Sequence, residues 1–138
     1  MRVSQNCDRP AIMPQTMIQA YRESDGSIPV WEWLQRLQRT DKKAAAKCIA
    51  IIQRLRQLGN ELRRPEADRL RDGIFELRAR VRTVNYRVLY GFNGQNVALL
   101  LLGCTKEGKV PDSLIDTAIA RKKRAVTNPR IHIATFDE

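Results

Sequence analysis

The chain is poor in the residues that build metal centres and covalent staples. It holds one histidine, His132, and three cysteines, Cys7, Cys48 and Cys104, in 138 residues. One imidazole and three scattered thiols match no zinc-ligand spacing, and an odd, dispersed set makes no disulfide framework. Cys48 and Cys104 fall in apolar patterns and read as buried filler. Neither a metal nor a cofactor is therefore expected. No apolar run approaches the roughly 18 residues of a membrane span, and Val97 to Cys104 falls far short. The opening segment, MRVSQNCDRPAIMPQTM, lacks the apolar centre of a secretory leader, so a cytoplasmic protein with no membrane partner is expected. A glycine-rich phosphate loop and a nucleophile elbow are also missing, as are internal repeats and low-complexity segments.

Basic residues are what the sequence has in excess. Lys and Arg number 25 against 15 Asp and Glu, a formal net charge of +10, with a pI near 10.2. Such a balance says little about fold but favours nucleic acid or an acidic protein as partner. The length suits one domain with its own core. Residues 1–16, with two prolines and no periodicity, read as a flexible arm, residues 17–125 as the domain, and residues 126–138 as a tail.

The most informative stretch is Ile74 to Lys109, which reads as three antiparallel strands followed by a lysine-bearing loop. In the first strand Phe75, Leu77, Ala79 and Val81 share one face, while Glu76, Arg78, Arg80 and Arg82 share the other. The second strand sets Val84, Tyr86, Val88, Tyr90 and Phe92 against Asn85 and Arg87. Asn93-Gly94 predicts a type I′ hairpin turn. The third strand, apolar throughout, belongs in the middle of a sheet with both faces covered. One face of this sheet is apolar and the other lined with arginine, a platform for a polyanion. The plainer alternative is a solvated sheet face, against which stands the crowding of like charge there.

Helices flank the sheet. Met17–Tyr21 reads as a short first strand. Asp25 or Ser27 is placed to cap a helix with Pro29 near its first position and Val30, Trp33, Leu34 and Leu37 inward. Thr40-Asp41 opens a second helix with Ala45, Cys48, Ile49, Ile52, Leu55 and Leu58 as its buried stripe, ended by Gly59. Asn60–Asp72 reads as a polar connection. Pro111 and Asp112 start a third helix, with Ser113 and Asp116 spaced as a capping box. Arg121, Lys122, Lys123 and Arg124 close it, either complementing the helix dipole or contacting nucleic acid. The tail offers Ile131 and Ile133 for an edge strand. The expected fold is α+β: an N-terminal αα-hairpin packed on a small antiparallel sheet of three to four strands, with a C-terminal helix.

In order and spacing, PVWEWLQRL, GNELRRPEADRLRDGIFELR, NYRVLYGF and LLLLGCTKEGKVPDSLIDTAIARKKR resemble the RelE/ParE superfamily of bacterial toxins, specifically its phage-derived, HigB-like branch. The resemblance runs from about Met17 to Arg124. It implies a small α+β toxin domain neutralised by a cognate antitoxin, and for many relatives an mRNA-cutting activity on the translating ribosome. The ParE-like branch instead poisons DNA gyrase, and a non-toxic RNA- or partner-binding protein of the same fold is a third possibility. On this resemblance Arg87 takes the place of the phosphate-binding arginine of RNA-cutting members, Arg78 that of the arginine in the ELR word, and Lys106 that of the basic residues after the third strand. Glu76 and Ile74 stand where some of those relatives have lysines.

Metal-free RNA cleavage turns the 2′-hydroxyl onto its adjacent phosphate. Arg78 and Arg87, on one sheet face, are placed to converge on that phosphate by forked hydrogen bonds. Arginine holds its proton too tightly to be the base. Lys106, its pKa lowered by neighbouring cations, is one candidate. Glu76 is another, or else it pairs with Arg78 and keeps the guanidinium aimed. Arg80, Arg82, Lys109 and the four cations Arg121 to Arg124 are the expected nucleic-acid contacts, and an acidic or amphipathic antitoxin segment the expected protein partner.

Overall fold

The computed structural model describes residues 15–105 and 107–135. Its centre is a six-stranded mixed sheet in the order β2-β3-β4-β5-β1-β6. The strands are β1 (Met17–Tyr21), β2 (Ala67–Arg69), β3 (Phe75–Val81), β4 (Val84–Phe92), β5 (Val97–Thr105) and β6 (Ile133–Thr135). This corrects the expected sheet of three to four antiparallel strands with the helical hairpin leading the chain. The helices come after β1, and β1 runs parallel to β5, Met17 opposite Val97 and Ala20 opposite Leu100. The reason lies in β5. Leu99, Leu100 and Leu101 are completely buried, so the backbone groups on the side away from β4 need a second strand rather than water. A parallel neighbour requires a long crossover, and α1 (Pro29–Thr40) and α2 (Lys42–Leu58) lie within that connection. β6 then covers the outer edge of β1, Tyr21 opposite Ile133.

One sheet face is packed by the helical hairpin. Val30, Leu34 and Leu37 of α1 and Ala44, Ala45, Cys48, Ile51, Ile52 and Leu55 of α2 are buried against Ile18, Leu77, Ala79, Val88 and Leu100. Ile51 replaces the expected Ile49 in that stripe, and Leu58 at the helix end is exposed. Burial pushes the Cys48 thiol up to about 12, so it is a packing group. Trp33 lies across the backbone of β5 at Gly103, where even a methyl group would stand 2.3 Å from the indole. Asp41 caps α2 as expected, its carboxylate accepting from the Ala44 N–H at 3.2 Å. The cap expected for α1 is not formed: Pro29 holds the first position, and Asp25 instead accepts from Ser27 in the preceding turn.

The opposite face is packed by α3 (Asp112–Thr127), whose Ile115, Ala118 and Ala125 cover Tyr21, Leu89, Leu99 and Leu101. The expected capping box does not form. Asp116 pairs with Arg71 at 2.7 Å, so a tertiary ion pair has taken the carboxylate from the helix terminus. A short α4 (Pro129–His132) leads into β6.

The hairpin turns are distributed differently from the sequence expectation. Asn93 is not at positive φ; only Gly94 of that pair is, and the Asn93 N–H bonds to the Val97 carbonyl around a longer loop. The two positive-φ positions of a type I′ turn fall at Asp72 (φ 53) and Gly73 (φ 77), with the Ile74 N–H closing on the Arg71 carbonyl at 2.9 Å. That turn makes part of the expected polar connection into edge strand β2. Along β4 and β5 the register shifts between Leu89 and Tyr90, which face Leu102 and Leu100. Leu101 is therefore the extra residue of a β-bulge.

Candidate nucleic-acid interface

A two-residue turn, Arg82-Thr83, joins β3 to β4, with Val81 opposite Val84. Counting back along the ladder places Arg78 directly opposite Arg87. Glu76, two residues before Arg78, points from the same face. Its carboxylate is buried, with 4 % of the side chain exposed. Oε2 accepts from Arg78 Nη2 at 2.6 Å and Oε1 from Arg87 Nη1 at 3.2 Å. One carboxylate thus holds two guanidinium groups side by side. Both guanidinium Nε atoms are buried and lack a hydrogen-bond partner among the described residues.

The physics of this cluster is asymmetric. Arg87 is nearly enclosed at 7 % side-chain exposure, while Arg78 reaches solvent at 31 %. A buried charge has to be compensated, and Glu76 offsets only one of its two neighbours. An excess positive charge and unsatisfied N–H groups therefore remain. That charge borders an open groove of about 810 Å³, walled by Lys47 of α2, Pro65, Arg80 and Lys109, with the two Nε–H groups beneath its surface. An anion with several oxygens, such as a phosphodiester, would balance that charge from the groove side.

Of the sequence-derived site residues, Glu76, Arg78, Arg80, Arg87 and Lys109 come together in this groove. Lys106 lies outside the described residues. Arg82 occupies the β3–β4 turn at φ 58, and its Nη2 pairs with the α2-capping Asp41 at 3.0 Å, a structural engagement. The cations of α3 do not line the groove. Arg121 donates to the Leu101 carbonyl at 2.9 Å and packs over the Tyr21 ring, its guanidinium carbon 5.4 Å from the centroid. Arg124 donates to the Tyr21 hydroxyl at 3.2 Å. Burial, the larger influence, still pushes that hydroxyl's pKa up. The aliphatic stem of half-buried Lys122 lies over Gly91, while Lys123 and Arg124 are exposed. Sequence reasoning missed Lys47, which a helix brings from far along the chain. It also missed that Glu76 grips Arg87 as well as Arg78, although the register set by Val81 and Val84 implies that proximity.

The family model described as "Phage derived protein Gp49-like (DUF891)" matches residues 33–123, a span that includes α2 and all of β3, β4 and β5. No curated protein matches the chain. The chain belongs to this phage-derived Gp49-like family, which is part of the RelE/ParE-like toxin superfamily.

Proposed function

We propose that this member of the Gp49-like family is the toxin of a two-component toxin–antitoxin pair, of the HigB-like kind, and that it cleaves mRNA on the translating ribosome. The observation that supports this reading is the Glu76-held pair of arginines at the floor of an open groove. In the reaction the 2′-oxygen gives up its proton and attacks the adjacent phosphorus. The bond to the 5′-oxygen breaks, leaving a 2′,3′-cyclic phosphate and a 5′-hydroxyl that takes up a proton. Arg78 and Arg87 bind the non-bridging oxygens as negative charge grows on them. Glu76, with both oxygens occupied, positions the arginines and does not serve as the base. Lys106 is assigned the proton transfers, and Arg80 and Lys109 hold flanking phosphates.

The test is purified protein with translating ribosomes and a defined message. Arg87→Ala is expected to lower cleavage by about 10²–10³-fold, and Lys106→Ala to lower it while leaving RNA binding intact. Growth inhibition without RNA cleavage would overturn the reading. One observation favours a second reading: a phosphate must compete with a buried carboxylate already holding both arginines. A gyrase inhibitor or a binding protein of the same fold needs no such exchange. DNA breaks on induction identify the former, and unimpaired growth at high expression the latter. The partner in this proposal is an acidic or amphipathic antitoxin segment lying across the basic face or beside the α1–α2 hairpin. Failure to co-purify with the product of an adjacent gene would remove it.

A further inference from the structure

A second groove, of about 1020 Å³, opens at the other end of β3 between the 60–69 segment and the β4–β5 loop. Asp68 lines both this groove and the one at Arg78 and Arg87, so they meet along one wall. Its lining combines aromatic faces with cations. Phe75 and Phe92 are each half-buried and meet edge to face with centroids 5.4 Å apart. The guanidinium of exposed Arg69 lies over the Phe75 ring, 5.8 Å from its centroid. Arg63 and Arg64 stand exposed on the rim. The acid on the shared wall is already engaged: Arg64 Nη2 contacts Asp68 at 3.0 Å, which holds that carboxyl below its ordinary pKa.

We infer that this second groove binds the bases of single-stranded RNA whose scissile phosphate lies between Arg78 and Arg87. The inference rests on the RNA reading of the first groove and extends it to a substrate of several unpaired nucleotides. A planar guanidinium above an aromatic ring is a platform on which bases of any identity stack. The neighbouring arginines take the phosphates, and the RNA passes from one groove to the other round edge strand β2, whose Asp68 borders both. A duplex, with its bases turned inward, offers nothing for Arg69 and Phe75 to stack against. The groove therefore selects single strands without selecting sequence.

The experiment uses the full chain and non-cleavable 2′-O-methyl RNAs of about 3 and about 12 nucleotides. Arg69→Ala and Phe75→Leu are expected to weaken the longer RNA by about tenfold and leave the shorter one unchanged. Arg87→Ala weakens both. Replacing the outer nucleotides of the longer RNA by abasic sugars reproduces the Phe75→Leu loss in the wild-type protein. Arg69 is on the surface, so Arg69→Ala keeps the test valid should Phe75→Leu lower the unfolding midpoint. Unchanged affinity of both variants for the longer RNA, with Arg87→Ala still weakening both lengths, overturns this inference and leaves the first groove's reading intact. If Arg87→Ala changes neither length, that reading falls and this inference falls with it. Arg69-dependent binding of poly(Glu,Tyr), with RNA indifferent to Arg69, also overturns it by making the groove a site for acidic peptide.

Discussion

Two regions of one sheet face behave in opposite ways. Beneath α3, β4 and β5 present Leu89, Leu99 and Leu101 into a dry core. On the same face, further along β4, Arg87 sits between Arg78 on β3 and Cys104 on β5, beside an open groove. The backbone is equally regular in both regions, and the strands are shared. The difference is whether a helix lies on top. Where α3 covers the sheet, burial is favourable without any electrostatic compensation. Past that cover, the same strand carries charge at a position almost as enclosed, and only Glu76 makes that tolerable. The candidate site thus lies where the packing layer ends.

Stability measurements can break or sharpen this contrast. Glu76→Ala should be the most damaging, about 3–5 kcal/mol, because two guanidinium groups lose the buried carboxylate that holds them both. Equilibrium urea unfolding measures it, and a loss no larger than that of an exposed ion pair would dissolve the distinction between the two regions. Leu99→Ala, in the covered region, should cost about 2–4 kcal/mol by opening a cavity, while RNA binding at saturating stability stays as in wild type. Arg87→Ala should cost less, about 1–2 kcal/mol, since Glu76 keeps Arg78; its main effect is on activity. The smallest effect is the response to alkali. Burial pushes the Tyr21 and Tyr90 hydroxyls above their ordinary value of 10.0. The folded protein therefore keeps protons that the unfolded chain releases above that pH. Stability is fully present below it and falls as pH rises through the folded values. Unfolding midpoints at about pH 9 and about pH 11 should differ less in Tyr90→Phe than in wild type.

How much of this could be read in advance depended on the range of the interactions. The alternation in β3 and β4 is local, and it correctly put Glu76, Arg78 and Arg87 on one face, with Leu77 and Val88 on the other. The burial of β5 followed from its unbroken apolar run. The place of β1 did not follow from anything local: five residues, MIQAY, contain no sign that they will lie parallel to a strand near residue 97. Three-residue β2 shows no period at all, whereas Ile133, though not Ile131, did mark edge strand β6 in the tail. The Asp72-Gly73 dipeptide is a strong hairpin signal, yet the expectation placed Asp72 in a polar connection and the type I′ turn at Asn93-Gly94, which closes a longer loop. The basic run of α3 left two readings open because charge alone does not show direction. Arg121 and Arg124 turn to Tyr21 and the Leu101 carbonyl, contacts that exist only once the sheet has formed.

The union of β1 with β5 bears on how the protein is made. Translation delivers β1, α1 and α2 first, yet the strand that seats β1 and α1 arrives only with residues 97–105. Until then α2 can rest on β3, but α1 lacks the strand it packs against and β1 its inner neighbour. Contacts so distant along the chain form late and slowly, and an early fragment shows its greasy surface to whatever is nearby. The Arg78–Arg87 pair, by contrast, belongs to the local β3–β4 hairpin and needs nothing from β5, whereas the groove around it closes only with Gly108, Lys109 and Val110.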